Sequence, residues 1–323
     1  MRFKRDVREW LFVRDSELWN LSEYERRILP ALKLSYSHLP IQVERCLSFC
    51  SIFPRSYEFK KEKLIRLWMA ESLIHSNSSS GGKEIEYYFT DLLWMSFFQE
   101  IKLYENGVVM GYKMHDIVYV LLQFVTSSEY TIRQQCGFGT PTSSKRIRHS
   151  SVVCDFRSST IPEHLYEAGH RLRTLLLFSE GNFEVLPNKI YSSLKCSFAL
   201  DLSGSGLTKS EGSIGAILHL TYLDLSHTRI SKLLTQIEGL HSLQTLNLFN
   251  CFDILALPDL TKMKSLRHLN NDRCRKLTRM VNVDQQKYIG TINYNNQLQT
   301  LSLFVVGGKQ DTFLLGYLML REV

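Results

Sequence analysis

The hydrophobic period of the chain changes near its middle, and each period predicts its own architecture. Between Pro30 and Tyr130 apolar residues recur at helical spacing. Val43, Cys46, Leu47 and Cys50 stand at i, i+3, i+4 and i+7, one face of a helix that Pro40 opens and Phe53-Pro54 stops. Pro30 suits the first turn of an earlier helix reaching about His38. Leu64, Ile65, Leu67, Trp68 and Met69 give a third helix, from Lys61 to Ile74, an apolar face broad enough to be buried on more than one side. Ile85, Tyr88, Phe89, Leu92 and Leu93 mark a fourth. Alternation then takes over: Gln99 to Tyr104 and Val108 to Met114 read as strands joined by Glu105-Asn106-Gly107, where Asn-Gly tolerates the positive φ of a tight hairpin. A last helix begins at His115 or Asp116 and carries Ile117, Leu121, Phe124 and Val125 on one face. Compact helices with a β-hairpin wing predict a winged-helix domain.

The second half is a repeat. Leu220-Thr-Tyr-Leu223-Asp-Leu225, Leu243-Gln-Thr-Leu246-Asn-Leu248 and Leu266-Arg-His-Leu269-Asn-Asn271 place their middle leucines 23 residues apart, and Leu200 with Leu202 extends the frame backwards. Leu172-Arg-Thr-Leu175-Leu-Leu177 and Ile147-Arg-His-Ser150-Ser-Val152 precede them, and Leu298-Gln-Thr-Leu301-Ser-Leu303 follows after a longer gap. In such a unit the leucines of a short strand turn into a core and the residues between them turn out. No unit buries its stripe alone, so neighbours stack into a parallel sheet: a leucine-rich repeat solenoid. Cys251 falls at the repeat position where a small polar or thiol side chain turns inward. Asn271, Ser150 and Ser197 replace leucines, and Gln285 to Asn296 carries no pattern. The outward positions Tyr222, Asp224, His227, Thr245, Asn247, Phe249, Arg267, His268 and Asn270 are the expected concave recognition surface, with Tyr, Phe and Arg the side chains that anchor protein interfaces. The fold class is therefore α+β and multidomain, a helical winged-helix domain followed by an α/β solenoid.

Composition changes this picture little. The chain has 323 residues, 44% hydrophobic and 22% charged, with a formal charge of +7. The basic residues cluster at Arg2 to Arg14, Lys145 to Arg173 and Lys262 to Arg279, a bias that suits a solvated face or acidic partners. Seven cysteines, scattered without paired spacing, suit reduced thiols in an intracellular protein, and no zinc spacing is present. The first residues are charged with no apolar stretch behind them, and the longest apolar run, near Ile117 to Leu122, is far short of the ~20 residues that cross a bilayer. The expectation is a cytoplasmic or nucleo-cytoplasmic protein without membrane partners.

Four ordered motifs carry a resemblance. Ile28-Leu29-Pro30-Ala31-Leu32-Lys33-Leu34-Ser35-Tyr36, Cys46-Leu47-Ser48-Phe49-Cys50-Ser51-Ile52-Phe53-Pro54, Leu64-Ile65-Arg66-Leu67-Trp68-Met69-Ala70-Glu71 and Met114-His115-Asp116 are similar to the ARC2 portion of plant NB-ARC leucine-rich repeat disease-resistance proteins of the coiled-coil class. The resemblance covers nearly the whole chain, because that family places its repeats directly after this domain. It implies that Met114, His115 and Asp116 form a nucleotide sensor whose histidine meets the β-phosphate of ADP. A histidine at a helix start, beside free backbone N–H groups, is compatible with that role, while the plainer reading makes Asp116 a helix cap and His115 a surface residue. It also implies a pathogen effector or a guarded host protein as partner of the repeats, and intramolecular contacts with the rest of the NB-ARC region in a full-length receptor.

The departures are as informative. No Gly-x-x-x-x-Gly-Lys-Ser/Thr loop occurs, since Gly82-Lys83 and Gly308-Lys309 are each followed by the wrong residue. The magnesium-binding run of apolar residues and aspartate and the coiled coil are missing too. Ser72 stands where the family has glycine, and Tyr119-Val120 replaces its His-Asp. The sequence thus reads as a receptor truncated at both ends: residues 1–27 closing a preceding helical region, 28–135 the winged-helix domain, 136–144 a linker and 145–323 the repeats. The expected function is plant defence through an ADP-sensing remnant and a recognition surface, with no enzyme activity and no tightly bound cofactor, ADP or ATP belonging to the full-length family. Against it stand a stand-alone repeat scaffold, a fragment without function, and a DNA-binding winged helix using Lys60, Lys61, Lys63 and Arg66; nucleic acid is the least favoured.

Overall fold

The computed structural model describes residues 29–74, 83–102, 109–126, 129–134, 147–154, 165–166, 171–178, 183, 185–208, 212–231, 235–277, 279–280, 300–301 and 318–319. The chain divides into two units, Met1–Tyr130 and Thr131–Val323. Residues 1–27, the linker 136–144, the Asn106-Gly107 turn and the patternless stretch after Met280 lie outside the described residues.

The first unit follows the helical period. Helix α1 spans Leu29–Ser37 and α2 spans Ile41–Phe49, with Pro40 at the N-cap of α2 and a 3-10 turn, Cys50–Ile52, at its end. The predicted stripe is the buried one: Val43, Cys46, Leu47 and Cys50 are all in the core. Helix α3, Lys61–Ala70, ends sooner than its apolar content suggests. Leu73 N–H donates to Trp68 O and Ser72 N–H to Met69 O, the two bonds of a Schellman cap. The cap requires a left-handed residue, and Ser72 takes that role at φ 56°, which explains glycine in the related motif. Helix α4, Lys83–Trp94, closes the same way: Phe97 N–H donates to Leu92 O, Ser96 N–H to Leu93 O, and Ser96 sits at φ 63°.

The wing is a three-stranded sheet. Strands β2, Phe98–Lys102, and β3, Val109–Met114, pair antiparallel, and β3 also pairs with a short β1, Glu58–Phe59, that the hydrophobic pattern did not reveal. Aromatic rings join strand to strand and sheet to helix: Phe59 of β1 meets Phe98 of β2 edge-on at 5.2 Å, and Phe89 of α4 meets Tyr112 of β3 at 4.8 Å. Helix α5, Asp116–Thr126, buries Val118, Leu121 and Leu122 and closes the domain.

The second unit is the solenoid. Strands β4 (Tyr130–Gln134), β5 (His149–Val153), β6 (Thr174–Phe178), β7 (Ala199–Asp201), β8 (Tyr222–Asp224), β9 (Thr245–Asn247), β11 (His268–Asn270), β13 (Thr300–Leu301) and β14 (Leu318–Met319) lie side by side in that order. From β5 to β13 the pairing is parallel, with Ser150, Leu175, Leu200, Leu223, Leu246, Leu269 and Leu301 in one register. A second, two-stranded sheet pairs β10, Ala256–Leu257, with β12, Arg279–Met280. The leucines of successive turns form one continuous apolar core. Short 3-10 turns at Gly212–Ala216, Thr235–Gly239 and Leu260–Lys262 make the return path.

Backbone bonds fix the stacking. Phe198 O accepts from both Thr221 and Tyr222 N–H, Thr221 O from Gln244 and Thr245, and Gln244 O from Arg267 and His268. Below each strand one small side chain turns inward to a carbonyl: Ser205 Oγ to Leu202 O, Thr228 Oγ1 to Leu225 O, Cys251 Sγ to Leu225 O and Cys274 Sγ to Leu248 O. The position foreseen for Cys251 is thus a column of four residues. One of the defects is absorbed: Ser197, at a leucine position, donates to Leu172 O at 2.7 Å.

Two outcomes follow. Ser72→Gly relieves a left-handed serine and is expected to raise the unfolding free energy by about 1 kcal/mol, read by chemical denaturation. His149 is buried, and burial holds its pKa down at about 3 against an ordinary 6.5. Its proton therefore favours the unfolded chain: the native state carries no penalty above the ordinary value and loses stability as pH falls from there towards 3. Thermal unfolding at pH 7.5 and pH 5 is expected to show a smaller loss for His149→Gln than for the parent chain.

Candidate functional site

The turn between β3 and α5 holds the three residues of the proposed sensor. Met114 ends β3 with its side chain buried. His115 N–H donates to Phe97 O at 3.2 Å, and His115 O accepts from Val118 and Tyr119 N–H. Its Nδ1 accepts from Ile117 N–H at 3.3 Å. His115 is therefore the residue that caps α5, a correction to the plainer reading in which Asp116 does so. With Nδ1 an acceptor, the ring proton sits on Nε2, which is left to meet an external oxygen. Asp116 takes a different part. Arg55 Nη2 lies 2.9 Å from its Oδ2, Ser56 Oγ lies 3.4 Å from Oδ1, and the hydrogen bond from Arg55 holds the carboxyl below its ordinary range. Ser56 adopts φ 59° to make this reach.

The repeat surface departs from expectation. Tyr222, Asp224 and Thr245, expected to face a partner, are only 2%, 1% and 4% exposed. Asp224 is occupied inside the array: Oδ2 accepts from Tyr222 OH at 3.0 Å and Asn247 Nδ2 at 2.9 Å, and Oδ1 accepts from Ser226 N–H. Asp201, Asn247 and Asn270 repeat that last bond with Ser203, Phe249 and Asp272 N–H, so the column builds the turn after each strand. Alternation of strand side chains could not report what covers these residues. Arg267 and His268 are half-buried, His268 sharing a 3.0 Å hydrogen bond with Thr300 Oγ1.

What stands out lies one step further along the turns. His227 is exposed and packs edge-on against the half-buried Phe249 at 5.3 Å; Asn250 Nδ2 donates to His227 Nδ1 at 3.2 Å, and the Arg273 guanidinium covers the Phe249 ring at 5.1 Å. Gly204, His227, Asn250 and Arg273 are all left-handed, at φ 69°, 57°, 60° and 61°. Asn250 and Arg273 were not among the expected residues. The signal was available: each stands one residue before an inward-turned anchor, in the same 23-residue frame.

The buried thiols of Cys46, Cys50, Cys251 and Cys274 are pushed up by burial, Cys274 to about 12, which disfavours the thiolate a nucleophile needs. Among the described residues no group of three or more His, Cys, Asp or Glu is placed to hold a metal ion, and no helix is long and apolar enough to cross a membrane.

A helical domain with a three-stranded wing, continuing into a parallel leucine-rich solenoid, defines the fold class of the chain as a winged-helix domain followed by leucine-rich repeats. Comparison with known proteins makes this specific. Residues 52–122 match the family described as the disease resistance protein winged helix domain. Disease resistance protein RGA2 of Solanum bulbocastanum is 34% identical over 77% of the chain, and a candidate disease resistance protein of the same plant, RGA1, is 35% identical over 70%. The chain carries a disease-resistance winged-helix domain and is a homologue of plant disease resistance proteins over most of its length. It spans about a fifth of those relatives, 20% of RGA1 and 23% of RGA2. Among solved structures, the functional domain of InlJ from Listeria monocytogenes aligns with 48% of this chain and 29% of its own, at 22% identity and a TM-score of 0.35.

The Arg55 contact has a direct readout. Arg55→Gln is expected to return the Asp116 carboxyl from below its ordinary value of 3.8 to near it, followed by carbon-13 NMR of the side chain against pH.

Proposed function

We propose that this chain serves in plant defence as a regulated recognition module, its repeats forming the surface for a pathogen effector or a guarded host protein. The observation that carries the reading is a disease-resistance winged-helix domain running directly into the repeats, with homology to disease resistance proteins across most of the chain. The winged-helix unit is the regulatory part. On α5, Val120 and Phe124 are 38% and 65% exposed while Val118, Leu121 and Leu122 are buried. A nucleotide-binding region in a full-length receptor would be the natural cover for that stripe. The sensing role proposed for Met114, His115 and Asp116 is supported by the exposed place of His115 at the start of α5, the positive end of the helix dipole.

One histidine at a helix start is a small fraction of a nucleotide site. The glycine-rich loop that cradles phosphates is absent from the sequence, and the Asp116 carboxylate beside His115 opposes an anion. The chain is therefore expected to bind ADP no tighter than about millimolar and not to hydrolyse ATP. Calorimetry with ADP tests this: micromolar binding that His115→Ala abolishes would overturn it. A DNA-binding role is disfavoured by geometry, because Lys61 pairs with Glu86 at 3.4 Å and covers the Phe89 ring, while Lys63 reaches Tyr57 OH.

A further inference from the structure

The turns that leave the strands carry a surface that the reading above does not use. Thr228, Cys251 and Cys274 point inward at the same place in three successive repeats, and Thr228 Oγ1 touches Cys251 Sγ at 3.4 Å. An inward anchor obliges its neighbours to point out. The residues before the anchors are His227, Asn250 and Arg273, and the residues two positions later are Arg229, Phe252 and Arg275. The later column is solvent-exposed throughout, with Phe252 39% exposed. The chain accepts left-handed backbone under Cβ-bearing residues at 227, 250 and 273, where Gly204 shows that glycine also fits.

Charge decides what this edge can hold. Nearby lysines are already paired: Lys262 Nζ lies 2.6 Å from Glu238 and Lys276 Nζ 2.6 Å from Asp253. Asp272 turns its Oδ1 to the Arg273 amide at 2.8 Å. Arg229, Arg273 and Arg275 are exposed, as is Phe252, and the Arg273 guanidinium lies over the Phe249 ring. Guanidinium binds carboxylate through two parallel N–H donors, and an aromatic face between cations favours an apolar side chain flanked by acids. Strands stack about 4.8 Å apart, so Arg229 and Arg275 are rooted about 10 Å apart, the length of three residues of extended chain.

We propose that this strand-exit edge docks an acidic, extended segment of a protein partner, with carboxylates on Arg229, Arg273 and Arg275 and apolar side chains on Phe249 and Phe252. The proposal rests on the recognition reading and gives it a place and a sign of charge.

The test uses the full chain and a labelled decapeptide of alternating glutamate and leucine, with its lysine counterpart, followed by fluorescence anisotropy. The glutamate peptide is expected to bind at least about tenfold tighter than the lysine peptide. Arg229→Gln with Arg275→Gln is expected to weaken it about tenfold and Phe252→Ala about threefold, while Lys262→Gln with Lys276→Gln, the same loss of charge, changes it less than twofold. Circular dichroism should show every variant folded, since the altered side chains are exposed. Equal losses in the two double variants, or no preference for the acidic peptide, would overturn the assignment. So would self-association that Arg229→Gln with Arg275→Gln abolishes, which gives the edge to a second copy of this chain. Cognate effector binding by the repeats that survives the arginine double variant overturns the edge alone; effector binding unaffected by deleting residues 131–323 overturns the recognition reading beneath it.

Discussion

Each repeat in the second unit is stable only because its neighbour completes it. Three strand residues cannot bury Leu223 or Leu246 by themselves. The burial is achieved because one carbonyl before each strand accepts two N–H groups from the next repeat, which locks strand to strand in a single register. Given that register, the leucines stack into one core and the small side chains of Ser205, Thr228, Cys251 and Cys274 fall opposite carbonyls left over by the turn. The left-handed residues and the outward columns at the strand exits follow from the same constraint. A change in stacking would move all of them together.

The first unit relies on a different device. Its helices are short, and two of them are ended by Schellman caps built on serine rather than glycine. Those caps turn the chain so that Ile74 and Phe97 are buried, and they let the wing begin immediately after α4. Phe97 O then receives the His115 amide, so the cap of one helix helps set the start of another. The Arg55 and Ser56 contacts to Asp116 tie the loop after α2 to that same point. The turn that carries His115 is thus held from both sides by contacts remote in sequence.

These two modes of construction suit a division of labour. A solenoid presents long rows of side chains with little mutual constraint, which favours recognition. A small domain whose key turn depends on several distant contacts favours regulation, because a shift in one contact reaches the turn. The buried thiols of Cys50 and Cys274 are pushed up by burial, which disfavours the thiolate at those two positions.

Period and spacing by themselves determined the two architectures, the stripe of α2, the hairpin strands, and the leucine register from Leu200 to Leu269. These depend on local repetition, which a linear sequence records directly. Strand β1 escaped because two residues carry no period, and α3 ended early because the left-handed state of Ser72 is a property of backbone closure. Which outward residues are reachable was decided by tertiary structure alone. The repeat frame offers Tyr222, Asp224 and His227 alike as outward positions, yet Asp224 is enclosed by hydrogen bonds from Tyr222 and Asn247 while His227 stands exposed beside Phe249. Exposure depends on neighbours one repeat away, and the sequence does not say how closely those neighbours approach until the stack has formed.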